Sequence, residues 1–239
     1  MNQDEQKLID FWSSALELSE EDRAEILAES PENWRETAPS EKLLRAAELL
    51  GRREKVLDYG CGNGWAGIIA AKCGCPDVTA VDAAPGAVRT TRFLARHYGA
   101  EQVHADCVPK DWLKTVPDNL YDGLICSNVL DVIPPESAEE ILRESARIVR
   151  QDADVIIGLN FWMSPEKAAE RGIQLTDGNR LYVDGVLRLV SRSDEEWEKI
   201  FVPWYTVERL EHFAWPGETA ETRRLFYLRP AGRRADTES

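Results

Sequence analysis

The chain has 239 residues, with 43 Asp and Glu against 29 Lys and Arg, a formal net charge of −14, and 43% hydrophobic residues. Its length suits one α/β domain with appendages rather than two independent domains, and its acidity argues against a nucleic-acid substrate, whose phosphates need a basic stripe. No run approaches the ~18 apolar residues of a membrane span, and the charged start MNQDEQK is no signal peptide, so a cytoplasmic protein without a membrane partner is expected.

Residues 1–50 hold 13 acids against 5 Lys and Arg and read as helices over 4–18, from Ser19, and over 40–50, with the acids on a solvated face. The stretch 55–64, KVLDYGCGNG, then describes a strand running into a glycine turn at a helix start. Val56 and Leu57 suit a buried strand. Gly60, Gly62 and Gly64 follow at alternate positions, where glycine allows positive φ and lets the backbone press against a ligand. The helix that opens here points unpaired amides into the turn. A dinucleotide loop, G-x-G-x-x-G, would need its third glycine where Trp65 stands. Asp58 precedes the first glycine by two residues.

Residues 77–82, DVTAVD, form a second predicted strand with Asp82 at its carboxyl end, placed to accept hydrogen bonds from ribose hydroxyls. A helix is predicted over 85–98 through Val88, Phe93 and Leu94, and a short third strand, VHAD, over 103–106. The fourth strand is 121–126, followed by a turn over 127–131. Pro134-Pro135 blocks strand continuation, a helix follows over 136–150, and 154–159 is a fifth buried strand. The pattern breaks over 160–190, where 181–190 reads as a hairpin about Asp184-Gly185. Ser193 and Glu196 form a capping box for a helix that turns Trp197 and Ile200 inward. Strands over 206–213 and 225–228, joined through Pro216-Gly217, close the chain.

The order of strand, acid and three alternating glycines, D-x-G-x-G-x-G, resembles the loop of class I S-adenosylmethionine-dependent methyltransferases of the small-molecule type. Five strands followed by an antiparallel pair resemble that family's α/β fold, a doubly wound, mostly parallel seven-stranded sheet. The resemblance covers roughly 40–230, with 1–39 expected as a helical lid, 160–190 as an insertion and 231–239 as a disordered tail. It implies S-adenosylmethionine as cofactor, held by Asp58, Gly60, Cys61, Gly62, Asn63 and Gly64 in the loop, and by Asp82 and Ala83 after the second strand. Asp106 would accept from the adenine amino group and the Cys107 amide donate to the ring, while Ser127, Asn128 and Val129 would line the methionine end.

Many small-molecule members place a His about where Val132 stands, so no general base is assigned. Trp34, Asp131, Trp162, Tyr182 and Tyr205 are candidate acceptor contacts, and Asp131 or Tyr182 could also take a proton. The implied activity is methyl transfer to an O or N atom of a small molecule. A peptide or protein acceptor, a non-catalytic binding module and an NAD-dependent oxidoreductase are the alternatives. The five cysteines read as free thiols, and the scattered His97, His104 and His212 suggest no metal site.

Overall fold

Short strands that are apolar on both faces alternate with helices, and in the computed structural model, which describes residues 3–232, they assemble into one seven-stranded sheet. Ahead of it come α1 (Gln3–Leu16), α2 (Glu20–Ala28), a 3-10 segment (Pro31–Thr37) and α3 (Glu41–Leu50). Then follow β1 (Val56–Tyr59), α4 (Trp65–Lys72), β2 (Val78–Asp82), α5 (Pro85–His97), β3 (Val103–Cys107) and β4 (Tyr121–Ser127). The second half holds α6 (Pro135–Ile148), β5 (Val149–Leu159), α7 (Pro165–Glu170), β6 (Arg180–Val183), β7 (Val186–Val190), α8 (Asp194–Phe201), β8 (Tyr205–Phe213) and β9 (Arg223–Pro230). The strand order is β3-β2-β1-β4-β5-β9-β8. Strands β1 to β5 pair in parallel, while β9 runs antiparallel to both β5 and β8. The order reverses between β1 and β4, and in open sheets of this kind that reversal leaves a ligand crevice at the strands' carboxyl ends.

Period-two alternation in β9 shows how the two layers form. Leu225 and Tyr227 join the core under α3 and α4, whereas Phe226 and Leu228 join the core under α6 and α8. Helix α3 starts where the Ser40 hydroxyl accepts from the Leu43 amide, and it buries Leu43, Ala46, Ala47 and Leu50. The Ser193/Glu196 capping box is present at α8, which buries Trp197 and Phe201. Phe201 stacks on Trp197 and meets Phe226 edge-on.

Three differences from the sequence expectations have local causes. Helix α6 stops at Ile148 instead of 150, because Val149 already pairs with Tyr121 and the Ile148 carbonyl accepts from the Leu120 amide. Sheet pairing wins over helix propensity there. Helix α7 was not expected, although Ser164-Pro165 announces it: the Ser164 hydroxyl accepts from the Lys167 amide and proline occupies the first turn. The hairpin is β6 and β7, turning where Asp184 and Gly185 both take positive φ.

Two proposed acceptor contacts belong to the core. Trp34 is buried in the layer of α3 and α4, with the Arg35 guanidinium 3.9 Å from its ring centre. Tyr205 begins β8 opposite Pro230, at the amino end of the sheet, and its buried hydroxyl meets Ser145 Oγ at 2.8 Å. Trp34 staples its segment onto the α3–α4 layer, and Tyr205 ties strand β8 to α6. From residue 233 on, the expected tail lies outside the described residues. No helix among the described residues is long and apolar enough to cross a membrane.

Candidate cofactor and acceptor site

The glycine loop joins β1 to α4 at the switch point. Gly60, Gly62 and Gly64 all have positive φ. At Gly60 a Cβ would overlap Val129 Cγ2, and at Gly64 it would overlap Thr91 Cγ2. Glycine is therefore required at both ends by conformation and by contact. The Gly60 and Cys61 amides donate to the Val81 carbonyl at 2.8 and 3.0 Å, and the Gly64 amide donates to the Cys61 carbonyl at 2.7 Å. The loop is thus tied to β2 and closed on itself.

Two acids fasten it further. Asp82 Oδ2 accepts from the Gly62 amide at 3.1 Å and Oδ1 from the Ala84 amide at 2.8 Å. A carboxylate offers about four lone-pair sites, so acceptor capacity remains for a ligand's hydroxyls. Burial raises the Asp82 pKa, while the Ala84 and Gly62 amides oppose that rise. Asp58, expected in the cofactor set, instead turns beneath α4, where Oδ2 accepts from the Gly67 amide at 3.0 Å. Its role is to hold the first turn of the helix.

Desolvation pushes the Asp58 carboxyl up to about 7. Between the unfolded value of about 3.9 and 7, the folded state binds more protons than the unfolded one, so stability falls as pH rises through that window. Asp58→Asn keeps an acceptor for Gly67 and cannot ionise. The parent should lose on the order of 3 kcal/mol more than this variant between pH 4 and 7. Equal pH slopes in denaturant titrations of the two proteins would contradict this.

The other candidate cofactor residues make the following local contacts. Cys61 contributes its backbone, because its buried Sγ faces Thr91 Oγ1 at 3.5 Å. Asn63 Oδ1 accepts from the Trp65 amide at 3.4 Å. Ala83 follows Asp82, and its carbonyl accepts from Cys107 Sγ at 3.6 Å. Asp106 is exposed on edge strand β3 and pairs with Arg92 at 2.9 Å. Across the switch point, Ser127 ends β4 and Asn128 and Val129 follow it, with Val129 against Gly60 and Asn128 Nδ2 donating to Asn160 Oδ1 at 2.7 Å.

The other proposed acceptor contacts divide. Asp131 is fully buried, and its carboxylate accepts from the Asn160 amide at 2.6 Å and from Asn160 Nδ2 at 3.3 Å. Burial raises its pKa to about 6. Those bonds make it the fastener between β4 and β5 rather than an acceptor contact. Trp162 and Tyr182 are 44% and 42% exposed, on the outside of the insertion.

Helix α1 belongs to the segment expected as a lid. Helix α1 crosses the carboxyl ends of the strands: Leu16 reaches over Gly62, Ser13 Oγ accepts from the Gly86 amide at 2.9 Å, and Arg188 of β7 stacks 3.4 Å from the Phe11 ring centre. Buried within it, the Trp12 indole N–H has no acceptor among the described residues. A concavity of about 520 Å³ near Arg53, Asp154 and Arg229 opens at the opposite end of the sheet. Its charges pair with one another, Arg53 to Asp154 at 2.6 Å and Arg229 to Asp154 at 2.8 Å.

Residues 56–152 match the family model described as a methyltransferase domain. Over those residues the chain is similar to methyltransferase domains. The match spans the glycine loop, Asp82, Asp106 and the turn after β4, all the elements that frame the crevice. The family binds S-adenosylmethionine. Similar proteins include a ubiquinone biosynthesis O-methyltransferase of Neisseria meningitidis, 25% identical over 66% of this chain and 60% of that protein. A ribosomal protein L11 methyltransferase of Cupriavidus pinatubonensis is 39% identical over 32% of this chain and 24% of that protein. The chain thus spans less than two thirds of these relatives. Among solved structures, the 1,6-didemethyltoxoflavin-N1-methyltransferase of Burkholderia thailandensis, with bound 1,6-didemethyltoxoflavin and S-adenosylhomocysteine, superposes with a TM-score of 0.58 at 20% identity. That match covers 87% of this chain and 86% of the other. Among the described residues, no group of three His, Cys, Asp or Glu is placed to hold a metal ion.

Proposed function

We propose that the protein transfers a methyl group from S-adenosylmethionine to an O or N atom of a small-molecule acceptor. The observation that carries this reading is the state of the helix start at the glycine loop. A dinucleotide lays its pyrophosphate on the free amides there. Here the Trp65 amide is taken by Asn63, the Gly67 amide by the buried Asp58, and the Gly62 amide by Asp82. The Asp82 carboxylate at the helix start repels a pyrophosphate, whereas S-adenosylmethionine has none.

When bound, the cofactor supplies a methyl group already activated on a sulfonium. The chain's own part is then to align the acceptor, exclude water and supply any base the acceptor needs. In this reading Asp82 takes the ribose, the backbone of the loop and of 127–129 the amino-acid end, and Asp106 with the Cys107 amide the adenine. Helix α1 and the β6–β7 hairpin, joined by Arg188 against Phe11, form the roof under which the acceptor is enclosed. Asp131 is spent on Asn160 and unavailable as a base, so an acceptor that is nucleophilic without proton removal fits best.

The test is transfer of label from methyl-tritiated S-adenosylmethionine, with a filtered small-molecule extract and a protein extract offered in parallel. Label should enter the small-molecule fraction, and a chain lacking residues 1–18 should bind S-adenosylhomocysteine yet transfer nothing. Incorporation confined to the protein fraction would overturn the small-molecule assignment.

A further inference from the structure

Arg224 is 1% exposed, and none of Nε, Nη1 or Nη2 has a hydrogen-bond partner among the described residues. The indole N–H of Trp197 on α8 is buried and unpartnered as well. Nearly all buried polar groups in proteins are paired, and a buried charge without bonds costs several kcal/mol. An arginine cannot escape by losing its proton. The two acids that face it do not satisfy it. Asp194 Oδ1 lies 3.8 Å from Nε, too far for a hydrogen bond, and Asp194 Oδ2 is engaged by His212 Nε2 at 3.0 Å. Asp131 attracts it electrostatically, but both Asp131 oxygens serve Asn160.

The position of this guanidinium is informative. Arg224 pairs with Leu159 at the carboxyl end of β5, on the same side of β9 as Phe226. Strand β5 lies next to β4, whose end meets Gly60 through Val129. Strands are spaced 4.7–4.9 Å, so β9 is about 10 Å from β4, the strand at the methionine end of the proposed cofactor site. That is the span of a small aromatic or aliphatic molecule.

We propose that Arg224 is the acceptor's recognition residue and that the acceptor is a carboxylic acid whose carboxylate docks on it beneath the β6–β7 hairpin. The proposal rests on the methyl-transfer reading above. A planar guanidinium matches a carboxylate through two parallel N–H···O bonds. Asp131 and Asp194 stand beside the guanidinium, so a singly charged carboxylate is disfavoured less than a doubly charged phosphate. The hairpin is tied over the site by the Val190 amide, which donates to the Asp131 carbonyl at 2.6 Å, so release of that bond opens the way in.

Melting of the full chain saturated with S-adenosylhomocysteine tests this, using benzoate, its uncharged analogue benzamide, and inorganic phosphate as probes. Benzoate should raise Tm saturably, and benzamide and phosphate should not. In Arg224→Gln the apparent Kd for benzoate should rise about 10- to 100-fold, with the shift caused by S-adenosylhomocysteine unchanged. Arg224→Lys, which keeps the charge and loses the fork, should weaken benzoate by a smaller factor and decides the matter if the Gln variant does not fold. No benzoate shift in the parent, an equal shift with benzamide or phosphate, or parental benzoate affinity in either variant overturns the proposal. A benzoate shift lost in Arg224→Gln, with no response of the parent to S-adenosylhomocysteine, would overturn the methyl-transfer reading and leave the carboxylate site standing.

Discussion

Gly60→Ala is expected to abolish binding of S-adenosylhomocysteine and to lower stability by about 2–4 kcal/mol. Gly60 sits at φ +68, where an L residue is strained, and its new Cβ would overlap Val129 Cγ2. The loop cannot yield in the other direction, because the Gly60 and Cys61 amides are bonded to Val81 of β2. Strain would therefore displace Val129 and the turn after β4, at the methionine end of the crevice. Gly62→Ala is the matched control: φ is also positive, but the nearest atom to its Cβ is Leu16 Cδ1 at 4.0 Å. It should cost about 1 kcal/mol from backbone strain alone. Urea denaturation with titration of S-adenosylhomocysteine measures both effects. Parental affinity in Gly60→Ala would show that the crevice against Val129 is not where the cofactor lies.

Asp82→Ala should weaken S-adenosylhomocysteine about 10- to 100-fold, the range for lost hydrogen bonds to a charged acceptor. The effect has two sources. The ribose hydroxyls lose their acceptor, and the Gly62 and Ala84 amides lose the carboxylate that holds the loop against β2. Asp82→Asn retains one acceptor oxygen and should fall between parent and Asp82→Ala. Calorimetric titration of the three proteins gives the order directly, and unchanged affinity in Asp82→Ala would remove Asp82 from the site.

The features legible in the sequence were those enforced by backbone geometry. Three alternating glycines, an acid at the end of β2 and short doubly apolar strands each leave a mark that other folds seldom share, and together they pointed to the glycine-loop crevice and a mostly parallel seven-stranded sheet. Side-chain destinations were legible only where periodicity constrained them. Trp34 and Tyr205 were read as acceptor contacts because aromatic residues suit pockets and cores alike, and only tertiary packing shows that both are core. Asp58 was assigned to the cofactor on its place in the motif, whereas its side chain is drawn under α4 by the Gly67 amide. Arg224 did leave a signal: it precedes Phe226 and Leu228 at strand period, on the buried face of β9, an unusual place for a charge. Helix α1 was legible as part of a lid over 1–39 but not in its particular contacts, since those with Gly62, Gly86 and Arg188 join residues far apart in the chain.

Titration calorimetry of the full chain with S-adenosylhomocysteine and, separately, with NAD is the most direct measurement of what the crevice is for. One saturable site for S-adenosylhomocysteine and no heat with NAD is the predicted result, because the helix start that would hold a pyrophosphate is already occupied by Asp58, Asn63 and Asp82. Saturable binding of NAD with none of S-adenosylhomocysteine would contradict it.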